Sequence, residues 1–588
     1  MFYNMKALLS IASTFIALSA FSQVTTHLSP WRGDGGEALF SYFTYSGNEP
    51  RFEQSYDPQS QYLNPILAGF YPDPSICRVD DTYYLVCSSF SFFPGLPLFE
   101  SKDLVSWTQT GNILDRPSQL PLDDQAVSAG IFAPDIKYNP KNKTFYMITT
   151  NVGKGNFFVK TKNPHQGWSE PIYLPKVDGI DPSFFFDKDG QAYIVHNAPV
   201  MGGHDYEGQR AIRILEFDVK GDSIIGEPKQ IVRGGTHVQE KPIWIEGPHL
   251  YRIGKYYYLM CAEGGTGDWH SEVIFRASVK ADITRPEAWE ECPTNPILTQ
   301  RTLYDYVNGG NTPLPADVVT STGHADLVQT QAGDWYAVFL GCRPYEGPYY
   351  NTGRDTYLLP VTWQDGWPTI LPQGQKVPTV VSRPARHEPP TARHEPPTTG
   401  NFTYTDRFDS PTLHLRWMSL RNPTSFYQTG HGLVITPKAV NISERKSPSA
   451  LFCRQQHTNF TAETTLTFEP KSGKDLAGMV LLQNEAYNFV YGLTILDGQL
   501  SLTLTRSEKT PVLIASAPIT LLSSPSSLHP LPISLKIEGH GRYYDFLYAE
   551  ADGSWRTLAK GVDAINLSTA RSDGFIGVCI GLYATSNH

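Results

Sequence analysis

The chain has 588 residues, of which 18% are charged and 12% aromatic, and its formal net charge is −10. This length favours several domains, and the composition excludes disordered, coiled-coil and collagen-like proteins. Because nucleic acids and anionic membranes bind basic surfaces, the acidic balance argues against both as partners. Abundant aromatic residues suit a neutral polar ligand with flat apolar faces, such as a sugar, although most of them will fill β-sheet cores.

The first 22 residues have the layout of a secretory signal peptide. Lys6 precedes an apolar run over residues 7–21, and small residues stand before Gln23. An apolar run of this length is too short to span a bilayer. The pattern predicts a cleaved leader and a secreted or periplasmic protein. Residues 23–62 form an N-terminal extension to which the sequence pattern assigns no role.

Residues 63–372 repeat one pattern five times. Each copy has a short strand, a turn rich in Asp, Gly, Asn or Lys, and a second strand centred on a tyrosine. The tyrosines are 62, 47, 65 and 78 residues apart, which suits a four-stranded blade plus variable loops. With no helical stretches between the copies, the pattern predicts a five-bladed β-propeller. The tyrosines are Tyr84, Tyr146, Tyr193, Tyr258 and Tyr336.

The chain changes character after the propeller region. Residues 373–400 are rich in proline and contain ARHEPPT twice in tandem, which is typical of a linker or an extended strap. Residues 401–588 contain alternating runs such as AETTLTFEP and ISLKIEG, which predict half-buried antiparallel strands of a β-sandwich. The predicted fold class is therefore all-β.

The repeat also aligns acidic residues. Asp73, Asp135, Asp181 and Glu246 lie eleven or twelve residues before the tyrosines of the first four copies, and His324 holds this place in the fifth. Equivalent positions of propeller blades converge on one axis, so these side chains should surround one cavity. Clustered carboxylates raise one another's pKa, and glycoside hydrolysis needs one protonated and one ionised carboxyl. The alternative is that they are turn residues opening each strand.

Several motifs, taken together and in order, resemble glycoside hydrolase family 43, in particular its two-domain β-xylosidases and α-L-arabinofuranosidases. They include YPDPS, GIFAPDIKY, IDPSFFF, WIEGPHL, GHADLV and NTGRDT, spread over about residues 63–370. The resemblance implies a five-bladed propeller followed by a concanavalin-like jelly roll. By motif, Asp73 would be the general base, Glu246 the general acid, and Asp181 the residue that orients the acid and raises its pKa.

The same resemblance implies substrate-binding residues. Phe92, Phe93 and Phe132 match aromatic positions that wall the −1 sugar pocket. Arg354 matches an arginine that binds sugar hydroxyls, with a structural salt bridge as the alternative. His324 matches a histidine beneath the active site that helps to hold calcium or water, with a hydrogen-bonding role in the core as the alternative.

No cofactor is expected to be required. The seven cysteines show neither CxxC nor Cys/His ligand spacing, which disfavours a structural zinc site. The resemblance allows a structural calcium in the central channel, which His324 would reach through water. Asp135 stands where relatives often carry another residue and would add an acidic group near the site.

These observations predict an exported, inverting exo-glycosidase that hydrolyses terminal β-D-xylosyl or α-L-arabinofuranosyl residues of hemicellulose oligosaccharides. Xylo- and arabino-oligosaccharides are the expected partners. Inversion predicts that the acid and base carboxyl groups lie about 6.5–9.5 Å apart. The alternatives are an arabinan- or galactan-cleaving enzyme of the same fold and a non-catalytic carbohydrate-binding propeller.

Overall fold

The computed structural model describes residues 36–304, 313–385, 397–422, 425–520 and 531–587. The predicted signal peptide, residues 1–22, lies outside these ranges. Strands dominate the regular structure, as the sequence predicts, and none of the described helices is long and apolar enough to cross a bilayer. The helical turns are Pro50–Glu53, Pro164–Gln166, Val238–Glu240, Pro286–Ala288, Arg301–Leu303, Ile565–Leu567 and Thr569–Ser572.

Five antiparallel sheets, each built on four strands paired in chain order, form the blades of a propeller and confirm the predicted architecture. The repeat tyrosine lies on the second strand of every blade. The first strands of neighbouring blades pack against one another in a closed ring, so they line the axis. Two strands, β1 (Ala38–Gly47) and β2 (Gln61–Leu63), precede the blades. The first blade consists of β3 (Ser75–Val79), β4 (Thr82–Val86), β6 (Gly95–Ser101) and β7 (Thr108–Leu114), with β5 (Phe92–Phe93) between them outside the sheet. The second blade consists of β8 (Asp135–Asn139), β9 (Thr144–Asn151), β10 (Gly155–Thr161) and β11 (Ile172–Tyr173), and the third of β12 (Ile180–Phe186), β13 (Ala192–Pro199), β14 (Arg210–Asp218) and β15 (Ser223–Arg233). The fourth blade consists of β16 (Glu246–Ile253), β17 (Tyr256–Glu263), β18 (Ser271–Ser278) and β19 (Glu290–Glu291), with β20 (Leu298–Thr299) also on β18, and the fifth of β21 (Thr320–Gln329), β22 (Trp335–Cys342), β23 (Arg354–Gln364) and β24 (Trp367–Thr369).

The segment before the first blade closes the ring against the last one. The backbone N–H of Ile66 donates to the carbonyl of Thr356 over 2.8 Å, and β2 pairs with β25 (Val380–Ser382), which follows the fifth blade. The described ends of the predicted linker lie along this seam, where the Ala68 N–H donates to the carbonyl of Thr398 over 2.9 Å. The linker ends are thus bound to the propeller.

Two facing sheets form the sandwich, and its strands alternate buried and exposed positions as predicted; β31, for example, buries every second residue over most of its length. One sheet runs β28-β29-β1-β31-β36-β37-β38 with β26 on β1, and the other runs β30-β39-β32-β33-β34-β35. The N-terminal extension therefore supplies a central strand, which the sequence pattern did not reveal. The strands are β26 (Thr403–Asp406), β27 (Ser419–Leu420), β28 (Tyr427–Gln428), β29 (Leu433–Ile435), β30 (Ser449–Arg454), β31 (Asn459–Thr467), β32 (Asp475–Leu482), β33 (Tyr487–Leu496), β34 (Gln499–Glu508), β35 (Thr510–Pro518), β36 (Ile533–His540), β37 (Tyr543–Ala549), β38 (Trp555–Asp563) and β39 (Cys579–Ser586).

An apolar core joins the propeller to the sandwich. Phe70 and Phe92 of the propeller region are buried in one cluster with Phe452 and Ile576 of the sandwich. Strand β27 of the sandwich also pairs with β5 of the propeller. Because burial of apolar surface stabilises the contact, the sandwich holds its loop 573–578 in a fixed place against the propeller.

Candidate active site

The aligned positions of the sequence repeat lie on or directly before the innermost strand of each blade, at or near its start in the first four blades. Asp73 lies just before β3, Glu246 is the first residue of β16, and Asp181 and His324 lie within β12 and β21. Asp73, Asp181 and His324 have φ angles of 53°, 53° and 52°. Non-glycine residues rarely adopt this left-handed conformation, which persists where the surrounding structure enforces it. These four side chains line one cavity, as the repeat predicts.

The cavity has a volume of about 720 Å³, in the range of small-molecule sites. It lies at one end of the propeller axis and is lined by residues of both domains. Its lining consists of Asp73, Phe90, Phe132, Ala133, Ile180, Asp181, Arg210, Trp244, Glu246, Gly265, Thr266, His324, Arg354, Asp573 and Phe575.

Asp73 is buried but paired with a cation. Its Oδ1 accepts a hydrogen bond from Arg354 Nη1 over 2.7 Å, and its Oδ2 accepts one from Ser88 Oγ over 2.6 Å. Burial alone would raise the pKa of Asp73, but the charge of Arg354 and these hydrogen bonds outweigh it and lower the pKa. Asp73 is therefore ionised at neutral pH, as a general base must be.

Glu246 and Asp181 show the opposite behaviour. Burial, followed by the negative charge of Asp181 and then that of Asp73, raises the pKa of Glu246 well above its usual value. Burial and the charge of Asp73 raise the pKa of Asp181 to about 7. Asp181 Oδ2 also accepts the backbone N–H of Gly247, the residue after Glu246, over 3.2 Å. Glu246 is thus kept protonated beside an ionised Asp73.

Three phenylalanine rings form one wall of the cavity. Phe90 stacks on Phe575 with ring centroids 6.2 Å apart, and Phe132 meets both rings edge-on at 5.7 and 5.6 Å. The Arg354 guanidinium lies over Phe90 and Phe575 at 5.9 and 5.7 Å. Such flat faces can pack on the apolar face of a sugar ring. Phe132 was expected here from its motif, whereas Phe90 and Phe575 were not.

The structure corrects the placement of Phe92 and Phe93. Phe92 is fully buried and packs on Phe70 and Phe452 in the core between the two domains. Phe93 lies on β5, opposite Ser419 of the sandwich. Neither lines the cavity, because β5 is turned towards β27, and it is Phe90, at a φ of 49°, whose ring enters the site.

A loop of the sandwich completes the pocket. The Phe575 N–H donates to Ser128 Oγ over 3.0 Å, and the Val578 N–H donates to the carbonyl of Asn351 over 2.9 Å. A Cβ atom on Gly353 would lie 2.6 Å from the Gly577 nitrogen, so the backbones of the propeller and of the sandwich loop are in contact there. These contacts hold Phe575 over the cavity, and no motif in the sequence indicates them.

Two further cavity residues were missed by the sequence analysis. Arg210 donates two hydrogen bonds to Asn197 Oδ1, at 3.1 and 2.7 Å, and its guanidinium lies 5.0 Å from the Trp244 ring centroid. Trp244 is the first residue of the WIEGPHL motif, two residues before Glu246, and is 39% exposed, which places it at the rim beside Glu246. They form the wall next to the candidate acid.

A second polar group, here called the axial cluster, comprises Asp135, Lys137, His249 and Asp326 and does not line the cavity. The Lys137 ammonium lies 3.0 Å from Asp135 Oδ1 and 2.8 Å from Asp326 Oδ2. Burial would raise the pKa of Asp326, but the neighbouring His249, followed by Lys137 and a hydrogen bond from Tyr251, lowers it. Asp135 was expected near the active site; it is buried in this cluster instead, because it pairs with Lys137.

The axial cluster bears on the predicted calcium. Asp135, His249 and Asp326 are the described propeller residues whose ligand atoms lie close enough together to hold a metal. The Lys137 ammonium already bridges the two carboxylates, and a dication would have to displace it. These residues therefore fit a protonated lysine better than calcium, and His324 is not among them; its Nδ1 lies 3.8 Å from Asp73 Oδ1.

Comparisons with known proteins agree with this geometry. Residues 62–368 match the family described as "Glycosyl hydrolases family 43", and residues 405–588 match the "Beta xylosidase C-terminal Concanavalin A-like domain". A xylosidase/arabinosidase of Butyrivibrio fibrisolvens is 38% identical over 538 residues, 89% of this chain and 96% of its own. A non-reducing end α-L-arabinofuranosidase of Bacteroides ovatus is 34% identical over 544 residues, 90% of this chain and 92% of its own.

A solved structure shares the arrangement of both domains. The crystal structure of a GH43_12 protein from a capybara gut metagenome superposes with a TM-score of 0.83 at 41% identity, covering 94% of this chain and 99% of that one. The resemblance inferred from the sequence motifs is confirmed.

Proposed function

The chain belongs to glycoside hydrolase family 43, and from this premise we propose that it is an exported, inverting exo-glycosidase that removes terminal β-D-xylosyl or α-L-arabinofuranosyl residues from hemicellulose oligosaccharides. That it is a glycoside hydrolase of the xylosidase and arabinofuranosidase kind follows from the family and its relatives. The sugar released, the anomeric outcome, the exo action and the export are the proposal.

The observation that carries the proposal is the opposite ionisation of two buried carboxyl groups in one cavity. Asp73, with its pKa lowered beside Arg354, accepts a proton from water as the water oxygen bonds to the anomeric carbon. Glu246, with its pKa raised, gives its proton to the glycosidic oxygen as the bond to the leaving group breaks. The negative charge of Asp181 helps to keep Glu246 protonated.

The shape of the cavity supports exo action on a small terminal sugar. Phe90, Phe132 and Phe575 wall one side, and the sandwich loop that carries Phe575 is hydrogen-bonded to the propeller. Arg354 reaches the same wall and also donates to Thr266 Oγ1 over 3.0 Å. A chain end fits such a pocket, whereas the interior of a polysaccharide needs an open groove.

Export is proposed from the sequence pattern of residues 1–22 alone. The charged residue, apolar run and small residues before Gln23 are those of a cleaved leader. Mass spectrometry of the protein recovered outside the cytoplasm should give a chain that begins near residue 23, and an intact Met1 on that material would contradict export through a cleaved leader.

A substrate panel tests the proposed specificity. Purified protein is assayed on aryl β-D-xyloside, α-L-arabinofuranoside and β-D-galactoside, and on xylo-oligosaccharides. Activity is expected on the xyloside, the arabinofuranoside or both, with release of single sugars from the chain end. Activity confined to the galactoside would overturn the proposed substrate class. NMR of the first-formed sugar should show the inverted anomer, and a retained anomer would overturn single displacement.

A further inference from the structure

His270 is a buried histidine beside the candidate acid that the mechanism above does not use. It lies directly before β18, and its side chain is inaccessible to solvent. Its Nδ1 lies 3.0 Å from the backbone carbonyl of Ser321, and its Nε2 lies 3.9 Å from Oε1 of Glu246. Among the described residues, His270 Nε2 has no hydrogen-bond partner.

The surroundings of His270 determine where its hydrogen lies. A carbonyl oxygen only accepts hydrogen bonds, so Nδ1 carries the hydrogen and donates it to Ser321. Burial lowers the pKa of His270 to about 3, so the ring is neutral at neutral pH and Nε2 is a bare acceptor. A Cβ on Gly323 would lie 2.7 Å from the ring, which shows how tightly β21 confines it.

An acceptor buried without a donor is unfavourable, since the group has lost its hydrogen bonds to water. The nearest carboxyl, Glu246, offers a donor only in its protonated form. In its ionised form, Oε1 would face the Nε2 lone pair with no hydrogen between them. A movement of about 1 Å brings the two atoms from 3.9 Å to hydrogen-bonding distance.

We propose that His270 is a positioning residue for Glu246: its Nε2 accepts the hydrogen bond of the protonated Glu246 carboxyl in the resting enzyme, until the glycosidic oxygen of a bound substrate replaces it as the acceptor. The proposal rests on the proposed role of Glu246 as the general acid. No proton is transferred to His270; it stabilises the acid form and fixes the direction of its carboxyl.

Loss of His270 Nε2 should shift the pH dependence of activity in one defined direction. Loss of the Nε2 acceptor removes a hydrogen bond that only the acid form of Glu246 can make, so the pKa of Glu246 falls. The alkaline limb of the pH profile of kcat/KM, which reports the acid of the free enzyme, then moves to lower pH. The charged groups that act on Glu246 are Asp181, Asp73, Arg354 and Arg210. Arg354 and Asp73 also act on His270, as does the ionisable ring of His324.

Matched substitutions separate positioning from mere packing. In His270→Asn the side-chain amide can still donate to Ser321 but offers nothing at the place of Nε2, and His270→Phe fills the volume without an acceptor. His270→Gln can restore an acceptor towards Glu246. His196→Asn is the control, because His196 is also buried, with Nδ1 3.0 Å from a backbone carbonyl and Nε2 without a hydrogen-bond partner. The charged groups that act on His196 are Asp178 and Arg213, not Glu246.

The readout is kcat/KM on two glycosides of the preferred sugar, one with an alkyl and one with a dinitrophenyl leaving group. His270→Asn and His270→Phe should lower activity on the alkyl glycoside about 10- to 100-fold, and on the dinitrophenyl glycoside less than about threefold, because the latter needs little help from an acid. Their alkaline limb should move down by about one pH unit. His270→Gln should recover part of the loss, and His196→Asn should change neither ratio nor profile.

The proposal is overturned if His270→Asn or His270→Phe, whichever folds, loses activity equally on both glycosides and keeps its alkaline limb in place. His270 would then be a packing residue. Glu246→Ala, measured alongside, tests the premise separately. If Glu246→Ala itself loses activity equally on both glycosides, Glu246 is not the acid and the proposed function fails on its own. If Glu246→Ala behaves as an acid variant, adding His270→Asn to it should cause no further loss on the dinitrophenyl glycoside.

Discussion

Two groups of buried carboxyl groups lie along the propeller axis, and they differ in how far cations offset their negative charge. In the carboxylate trio of the cavity, which consists of Asp73, Asp181 and Glu246, Arg354 pairs directly with Asp73, and among the described residues neither of the other two carboxyl groups pairs with a lysine or an arginine. In the axial cluster two carboxylates share the ammonium of Lys137, and the pKa of Asp326 is lowered. Burial is nearly complete in both groups. The difference teaches that direct contact with a cation, more than burial, decides whether a carboxyl of this axis is held protonated.

Removing members of the trio should have the largest effect. Asp73→Ala removes the only group with a lowered pKa in the trio, so turnover should fall on the order of 10²–10⁴-fold on every substrate. Glu246→Ala should show a loss of this size on alkyl glycosides but a much smaller one on aryl glycosides that need no proton. Steady-state kinetics on both classes measure the difference, and identical losses for both variants on the aryl substrate would contradict the assigned roles.

Lys137→Met should destabilise the protein by removing the ammonium of the axial cluster. It leaves two buried carboxylates without their ammonium, which should lower the free energy of unfolding by about 3–5 kcal/mol. In the native protein Asp326 has a lowered pKa, so its contribution is present above its unfolded pKa and is lost only in acid. In the variant the pKa of Asp326 rises, so the decrease in the free energy of unfolding should be larger at pH 8 than at pH 5.

Chemical denaturation at the two pH values measures the effect of Lys137→Met. Lys102→Met is the matched control, because Lys102 pairs with Asp81 over 2.7 Å at the exposed surface. Its loss should stay within about 1 kcal/mol at both pH values. A Lys137→Met variant as stable as this control would show that the axial carboxylates do not depend on the ammonium.

Phe575→Ala tests the part of the cavity wall that the sandwich supplies. The ring stacks on Phe90 and lies beside Arg354, so its loss should open the wall and lower kcat/KM about tenfold, mainly through a higher KM. Tyr543→Ala, which removes an aromatic side chain 48% exposed on the sandwich, is the control and should leave kinetics unchanged. An unchanged KM for Phe575→Ala would exclude its ring from the sugar site.

Chelation should have the smallest effect. Because Lys137 bridges the axial carboxylates, EDTA should change the Tm by less than about 1 °C and leave activity intact. A Tm that falls by several degrees with EDTA and recovers with calcium would support the calcium that the family resemblance allows. Calorimetry with and without the chelator distinguishes the two outcomes.

The propeller was predictable in detail because its signal is local and repeated. Each blade places its tyrosine on the second strand, and its aligned residue lies near the start of the first strand or, in the fifth blade, within it. Spacing in the chain therefore translates directly into position around the axis. The same reasoning brought Asp73, Asp181, Glu246 and His324 to one cavity. It failed for Asp135, because Lys137 of the same strand ties Asp135 to Asp326 of the fifth blade, and no local pattern reveals that distant contact.

The aromatic wall shows what was not predictable. Phe90 and Phe92 are two residues apart in the same SFSFF segment, and the sequence offers no reason to choose between them. The choice follows from pairing of β5 with β27, more than 300 residues later, which turns Phe92 into the core between the domains. Phe575 lies still further along the chain and reaches the cavity only through that docked sandwich.

The amino-acid sequence by itself determined the all-β class, the five blades and the three carboxyl groups, because each depends on residues that are near one another in the chain. Tertiary structure alone decided the ionisation of those groups, the aromatic wall, and the place of β1 as a central strand of the sandwich. The physical reason is common to all three. A buried charge, a packed ring and an inserted strand take their energies from neighbours that the fold brings together across hundreds of residues.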